Sequence, residues 1–144
     1  MPTLEPIDIL TNLRIYLTSQ ATLTSILANA AYIFATPGIP DKIVGLMPCK
    51  LITYLQAGGM PHGFQTPLTT ARVELRCYGA SHIEAHIVER KLASVLDKHN
   101  NIAVGTNCLF SAAKAAEAQD LMEPDTGFPF VWIPYNITAN QVVT

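Results

Sequence analysis

The sequence predicts an α+β domain: an antiparallel sheet of about four to five strands packed by helices on one side, with a long β-hairpin loop. Three observations indicate this class. Apolar residues recur at helical spacing near the N-terminus and again over 81–101, and a stretch of alternating apolar and polar residues lies between them. A stretch rich in glycine and proline separates two predicted strands. The length of 144 residues fits one domain over 1–144.

Two helices are predicted at the N-terminus. Apolar spacing indicates an amphipathic helix over 6–19. Thr22 can cap a short second helix whose buried side carries Leu23, Ile26 and Leu27. The run "AYIFA" that follows is a short strand, and "TPGIPDKIVGLMP" is a loop because prolines and glycines interrupt it.

Two central strands follow. "CKLITYLQA" is rich in residues that favour strands, and "TARVELRCY" alternates between a dry face and a wet face. The dry face carries Ala71, Val73, Leu75 and Cys77, and the wet face carries Arg72, Glu74, Arg76 and Tyr78.

The loop between these strands, from Gly58 to Pro67, is longer than a hairpin needs. Loops of such length tend to be functional or disordered. Met60, His62 and Phe64 lie among flexible residues, which suits a contact that adapts to a partner. A mobile surface hairpin is the alternative.

A helix begins near Ser81, which forms a predicted capping box with Glu84. Lys98, His99 and Asn100 suit its C-terminal end. Its predicted apolar side comprises Ile83, Ile87, Val88, Leu92, Val95 and Leu96.

The C-terminal part holds two further predicted strands. Alanine favours a helix over 107–116, but its place between a helix and a last strand favours a strand, which is our prediction. "MEPDTGFP" is a loop, and "FVWIPYNIT" is the last strand. Pro134 within it predicts a sheet edge or a bulge.

The composition limits the classes of protein that fit. Charged residues make up 14%, against about 25% in typical soluble domains, which indicates that a partner buries part of the surface. Homo-oligomerisation explains this most simply, and a soluble monomer rich in Thr, Asn and Gln is the alternative. The net charge of −2 and the lack of a basic run argue against sequence-independent DNA binding.

Targeting signals are not evident in the sequence. No stretch approaches the roughly 18 consecutive apolar residues of a membrane span, and we expect no membrane partner. The N-terminus lacks the basic and apolar regions of a signal peptide. Three widely spaced cysteines indicate reduced thiols in the cytosol rather than a disulfide framework.

The best candidate for a metal site is His82, His86 and Glu89, which fall within about 60° of one another on a helix. Two histidines and a carboxylate can hold zinc. The spelling H-I-E-A-H is not the H-E-x-x-H of metalloproteases, and no fourth ligand stands out. We therefore favour a solvated helix face.

No other catalytic or cofactor signature is visible in the sequence. Cys77 lies on the dry face of a strand, where a free cysteine is usually a small core residue. Neither a phosphate-binding loop nor a cluster of carboxylates is present in the sequence. We expect no cofactor and no enzymatic activity.

The arrangement of these segments resembles the tail-terminator, or tail-completion, proteins of long-tailed bacteriophages. The resemblance rests on an N-terminal helix ending in "IYL", the connection "ATPGIPD" and the strand "MPCKLITYLQAGG". It continues with "TARVELRCYG", the helix "EAHIVERKLASVL" and the last strand "FVWIPYNIT". These features span most of the chain. The long section "NCLFSAAKAAEAQDLMEPDTGFP" departs from the family pattern.

The resemblance implies a homohexameric ring that caps the head-proximal end of the tail tube and ends tube polymerisation. The implied partners are further copies of the chain, the tail tube protein, and the head–tail connector or head-closure protein. The genome would pass through the lumen without sequence-specific contact. The implied location is the tail or neck of the virion, after assembly in the host cytoplasm.

Two alternatives remain open: another neck or tail subunit, such as a head-closure or tube protein, and, less favoured, a small cytosolic enzyme. The alternating charges on the wet face suit an interface that charge pairs keep in register, or else a face exposed to solvent. The expected subunit or tube interface comprises Gly58, Gly59, Met60, His62, Phe64, Gln65, Arg72, Glu74 and Arg76.

Overall fold

A computed structural model describes residues 8–60, 68–104, 108–124 and 126–141, and gives the backbone alone at 60, 68–69, 99–102, 104, 108–110 and 140–141. The helices are α1 (Ile9–Thr18), α2 (Ala21–Thr24), α3 (Asp41–Val44) and α4 (His82–Leu96). The strands are β1 (Ile33–Phe34), β2 (Leu51–Met60), β3 (Leu68–Tyr78), β4 (His99–Val104), β5 (Cys108–Lys114), β6 (Gln119–Met122) and β7 (Pro129–Gln141).

The strands form one sheet in the order β1-β2-β3-β7-β5-β4, and β6 pairs with β7 beyond the end of β5. The pair β1–β2 is parallel and the other pairs are antiparallel. The predicted α+β class is confirmed. The described sheet has seven strands rather than four to five, because 99–104 and 119–122 form strands that the sequence did not indicate.

The main core lies between one face of the sheet and the helices α1, α2 and α4. The predicted dry face of β3 is fully buried there. Two tyrosine hydrogen bonds tie these elements together. The Tyr16 hydroxyl of α1 donates to the Val95 carbonyl of α4 at 2.5 Å, and the Tyr54 hydroxyl of β2 donates to the Leu10 carbonyl of α1 at 2.7 Å. The sequence therefore identified this face correctly, because strict alternation leaves only one buried side.

Helix α4 begins as predicted, with the Ser81 hydroxyl accepting from the Glu84 N–H at 3.4 Å. The Glu84 carboxylate accepts in turn from the Ala80 N–H at 2.8 Å. The predicted burial of Ile83 is wrong, since its side chain is 76% exposed. At 100° per residue, Ile83 lies about 160° from Ala85, which is in the middle of the buried side.

A second, smaller core covers one end of the opposite face of the sheet. It contains Ile43 of α3 together with Leu51, Tyr78 and Phe130. The predicted loop after β1 therefore includes a short helix, and this segment packs against the sheet. Tyr78 is fully buried rather than exposed as predicted, because α3 covers the wet face at this point.

Pro134 lies in the middle of the sheet, so the prediction of an edge or a bulge is wrong. Strand β7 pairs with β3 on one side, where Glu74 lies opposite Pro134. The Pro134 carbonyl accepts from the Ala115 N–H at 2.9 Å on the other side. The proline nitrogen points to that same side, at the gap between β5 and β6. No ladder hydrogen bond is lost there, which explains how a central strand accommodates proline.

Candidate interaction surfaces

The predicted loop residues Gly58 and Gly59 belong to strand β2, where they form an irregularity in its pairing with β3. Gly58 has a φ of 87° and Gly59 a φ of 154°. A Cβ on Gly59 would lie 2.2 Å from the Thr70 carbonyl oxygen, so only glycine fits there. Both glycines therefore have a structural role in the sheet.

The remaining residues of the predicted hairpin are only partly described. The Met60 backbone pairs with Thr70, so this residue also lies in strand β2. The predicted contacts His62, Phe64 and Gln65 lie outside the described residues.

Arg76 is held by contacts within the subunit. Its guanidinium lies 4.9 Å from the centre of the Phe130 ring and 3.9 Å from Glu123 Oε1. The same carboxylate oxygen accepts from the Tyr78 hydroxyl at 2.5 Å. Burial, and then this hydrogen bond, raise the pKa of Tyr78. The network joins β3 to the segment after β6, which leaves Arg76 less available to a partner than Arg72.

Arg72 and Glu74 occupy the more open part of the same face. Their side chains are 42% and 29% exposed, and their charged groups lie 3.9 Å apart. The Arg72 guanidinium also lies 6.0 Å from the centre of the Trp132 ring. The alternating charges thus pair along the strand, and the two side chains remain accessible from solvent.

Sequence reasoning missed a set of exposed apolar residues at one end of the sheet. Val44 and Leu46 lie between Ile43 and Met47, which pack with Tyr78 and Phe130. Leu121 and Met122 lie opposite Phe130 and Pro129 at the start of β7. Ile83 lies in the first turn of α4, which His82 joins to β6. We call this set the apolar end: Val44, Leu46, Ile83, Leu121 and Met122.

The residues of the apolar end share one end of the sheet but not one face, because α4 and the segment around α3 pack on opposite faces. Their exposed fractions range from 38% to 76%. Among the described residues, Ile15 on α1 is the other large apolar side chain with comparable exposure. Single exposed apolar residues are normal, whereas contiguous patches mark interaction sites. A signal was present in the sequence, since Val44 and Leu46 lie in a segment that was predicted to be a loop.

The two histidines of the candidate metal site bind β6 instead. A ring nitrogen of His82 lies 3.0 Å from the Leu121 carbonyl oxygen, and one of His86 lies 2.5 Å from Asp120 Oδ1. Glu89 is buried rather than solvated, and it pairs with Lys114. Over the described residues, no three His, Cys, Asp or Glu side chains are grouped so that they could hold a metal ion.

Neither Cys49 nor Cys77 is arranged as a nucleophile. Cys77 is fully buried in the main core, as predicted, and burial raises the pKa of its thiol. Burial also raises the pKa of Cys49, whose sulfur lies 3.4 Å from the Met47 sulfur.

A groove of about 400 Å³ carries polar groups from Lys98, Ser111, Asn136 and Thr138.

Within the part of the chain that the structure describes, no helix is long and apolar enough to cross a membrane. No model of a known protein family matches the chain. A search of curated proteins likewise found no match.

Proposed function

We propose that the chain is a virion structural protein: one subunit of a homohexameric ring that caps the head-proximal end of a long phage tail tube. The ring would end tube polymerisation and join the tail to the head connector or head-closure protein. The sequence resemblance suggests this role. The observation that carries it on the structural side is the apolar end, a set of exposed apolar side chains at one end of the sheet that suits contact with another protein.

A ring subunit needs flanks for its neighbours and a face for the next component of the tail. The apolar end lies at the end of the sheet where β3 ends and β7 begins. It therefore suits a stacked component, either the tube or the connector, better than a neighbour in the ring. The low charged fraction of 14% supports extensive burial in an assembly.

Binding without catalysis is the more economical interpretation of the described surfaces. The histidines hold β6, and the fully buried Cys77 lies in the main core. The accessible groups of the described residues include the apolar side chains of the apolar end and a paired set of charges on β3. Such surfaces suit protein recognition, in which apolar contacts give affinity and charges give orientation.

The test is the absolute mass of the purified chain, measured by light scattering over a range of salt and protein concentrations. A discrete species near six times 15.6 kDa, alone or after addition of tail tubes, supports the proposal. A monomer that ignores tail tubes contradicts it. Open-ended polymerisation would instead indicate a tube protein.

A further inference from the structure

The sheet has an open edge along the second half of β2. Strand β1 pairs only with Ile52 and Thr53 of that strand. The Ile52 N–H donates to the Tyr32 carbonyl at 3.0 Å, so the backbone groups of Ile52 point away from β3. Alternation along the strand gives Gln56 the same direction. The backbone of Gln56 therefore faces outward beyond the end of β1.

A second open edge lies at the other side of the sheet. Strand β4 is the last in the strand order, and within the described residues it pairs with β5 alone. Its sequence, HNNIAV, contains no Lys, Arg, Asp, Glu or Pro. The open part of β2, YLQAGG, also lacks them. Charges and prolines are common protections against strand addition, and both edges lack them. Each strand has one irregularity, between Gln56 and Gly59 in β2 and between His99 and Ile102 in β4. The regular stretch beside each irregularity can therefore accept a strand.

The two edges fit each other in direction. Four successive antiparallel pairings lead from β2 through β3, β7 and β5 to β4. Strands β2 and β4 therefore run the same way on opposite sides of the sheet. A simple rotation that places a second copy beside the first would bring β4 of the second copy alongside β2 of the first, in parallel. Strand β1 already pairs with β2 in this parallel sense.

We propose that β4 of one copy pairs in parallel with the open edge of β2 in the next copy, in line with β1. The occupant is a second copy because one chain carries both edges, on opposite sides and in matching direction. This contact is head-to-tail, and it closes into a ring when the rotation is suitable. The inference rests on the proposed ring and specifies its subunit contact.

The first experiment compares the masses of the wild type and Gln56→Pro. Proline removes the outward N–H of Gln56, whose side chain is exposed, and leaves the pairing with β3 in place. We expect the variant to fall from the ring to 15.6 kDa while unfolding like the wild type. Glu117→Pro, in the exposed loop between β5 and β6, is the matched control and should keep the ring. An intact Gln56→Pro ring would overturn the inference.

The second experiment does not depend on a proline. Gln56→Cys and Ala103→Cys are combined in one chain that also carries Cys49→Ser and Cys108→Ser, and a short bis-maleimide is added. Ala103 is exposed on β4, and the buried Cys77 should not react. We expect a ladder of covalent oligomers from the double variant and none from either single variant.

The outcomes separate this inference from the proposed function. A covalent dimer from Ala103→Cys alone would show two-fold pairing of β4 with β4 and overturn the inference. A wild-type ring without a ladder would overturn the inference alone. A wild type that stays monomeric with tail tubes present would overturn the ring itself.

Discussion

The Lys114 ammonium lies 3.4 Å from a Glu89 carboxylate oxygen, and this pair joins β5 to the buried side of α4. The Glu89 side chain is only 8% exposed. Lys114→Met would leave this carboxylate buried without its counter-ion. We expect a loss of about 2 to 3 kcal/mol in the free energy of unfolding, measured by urea denaturation.

The control for this pair is an exposed one. Arg72→Met removes a partner of Glu74 where both side chains are accessible, and should change stability by less than about 1 kcal/mol. The double variant Glu89→Leu/Lys114→Met should recover most of the loss, because it removes both charges. Equal losses of unfolding free energy in Lys114→Met and Arg72→Met would show that Lys114 does not stabilise the buried carboxylate of Glu89.

The two glycines of the β2 irregularity should respond differently to alanine. Gly59→Ala would place a methyl group 2.2 Å from the Thr70 carbonyl oxygen, so the backbone of β3 must move. The Cβ added by Gly58→Ala would meet no atom within 4 Å, so this substitution is unfavourable only because of the φ of 87°. We expect losses of more than about 2 kcal/mol and about 1 kcal/mol respectively, by thermal and urea unfolding. The reverse order would refute this pairing of the strands.

The buried tyrosines predict a loss of stability at alkaline pH. Burial raises the pKa of Tyr54 to about 12, while its hydroxyl donates to Leu10. The folded state therefore keeps a proton that the unfolded state releases near pH 10. Stability from this group is complete below about pH 10 and is lost as the pH rises toward 12.

Tyr54→Phe tests this dependence. Between pH 10 and 12, the slope of the unfolding free energy against pH should become shallower by up to about 1.4 kcal/mol per pH unit, which corresponds to one proton. Burial also raises the pKa of Tyr78, Tyr135 and Cys77, so a slope should remain. Urea denaturation at half-unit pH steps measures it. Identical slopes for the variant and the wild type would mean that Tyr54 ionises freely in the folded state.

The sequence allowed prediction of the parts of the fold that local patterns determine. Alternation from Ala71 to Cys77 placed the main core on the correct face of β3, and Ser81 marked the start of α4. The strand over 107–116 was also correct, as β5. The first two depend on neighbours in the sequence, so residue spacing is informative there. The strand over 107–116 was instead predicted from the order of the elements, because its alanine content favours a helix.

The errors at Tyr78 and Pro134 come from contacts between distant segments. Tyr78 looks exposed by alternation, but α3 covers it, and its hydroxyl reaches Glu123. Pro134 looks like an edge residue until the gap between β5 and β6 is known. The apolar end combines residues from α3 and the turn after it, α4 and β6, so a local pattern could have indicated at most Val44 and Leu46.

The apolar end should matter for assembly and not for folding. Ile83→Gln, Leu121→Thr and Met122→Gln change side chains that are at least 40% exposed, so little buried apolar surface is lost. We expect the triple variant to keep its unfolding free energy within about 1 kcal/mol and to lose co-sedimentation with tail tubes. Ile15→Gln, at a comparably exposed position on α1, is the control and should sediment like the wild type. If the triple variant still sedimented with the tubes, the apolar end would not be the tube-binding surface. If both variants lost sedimentation, general surface polarity would explain the effect better than a specific contact.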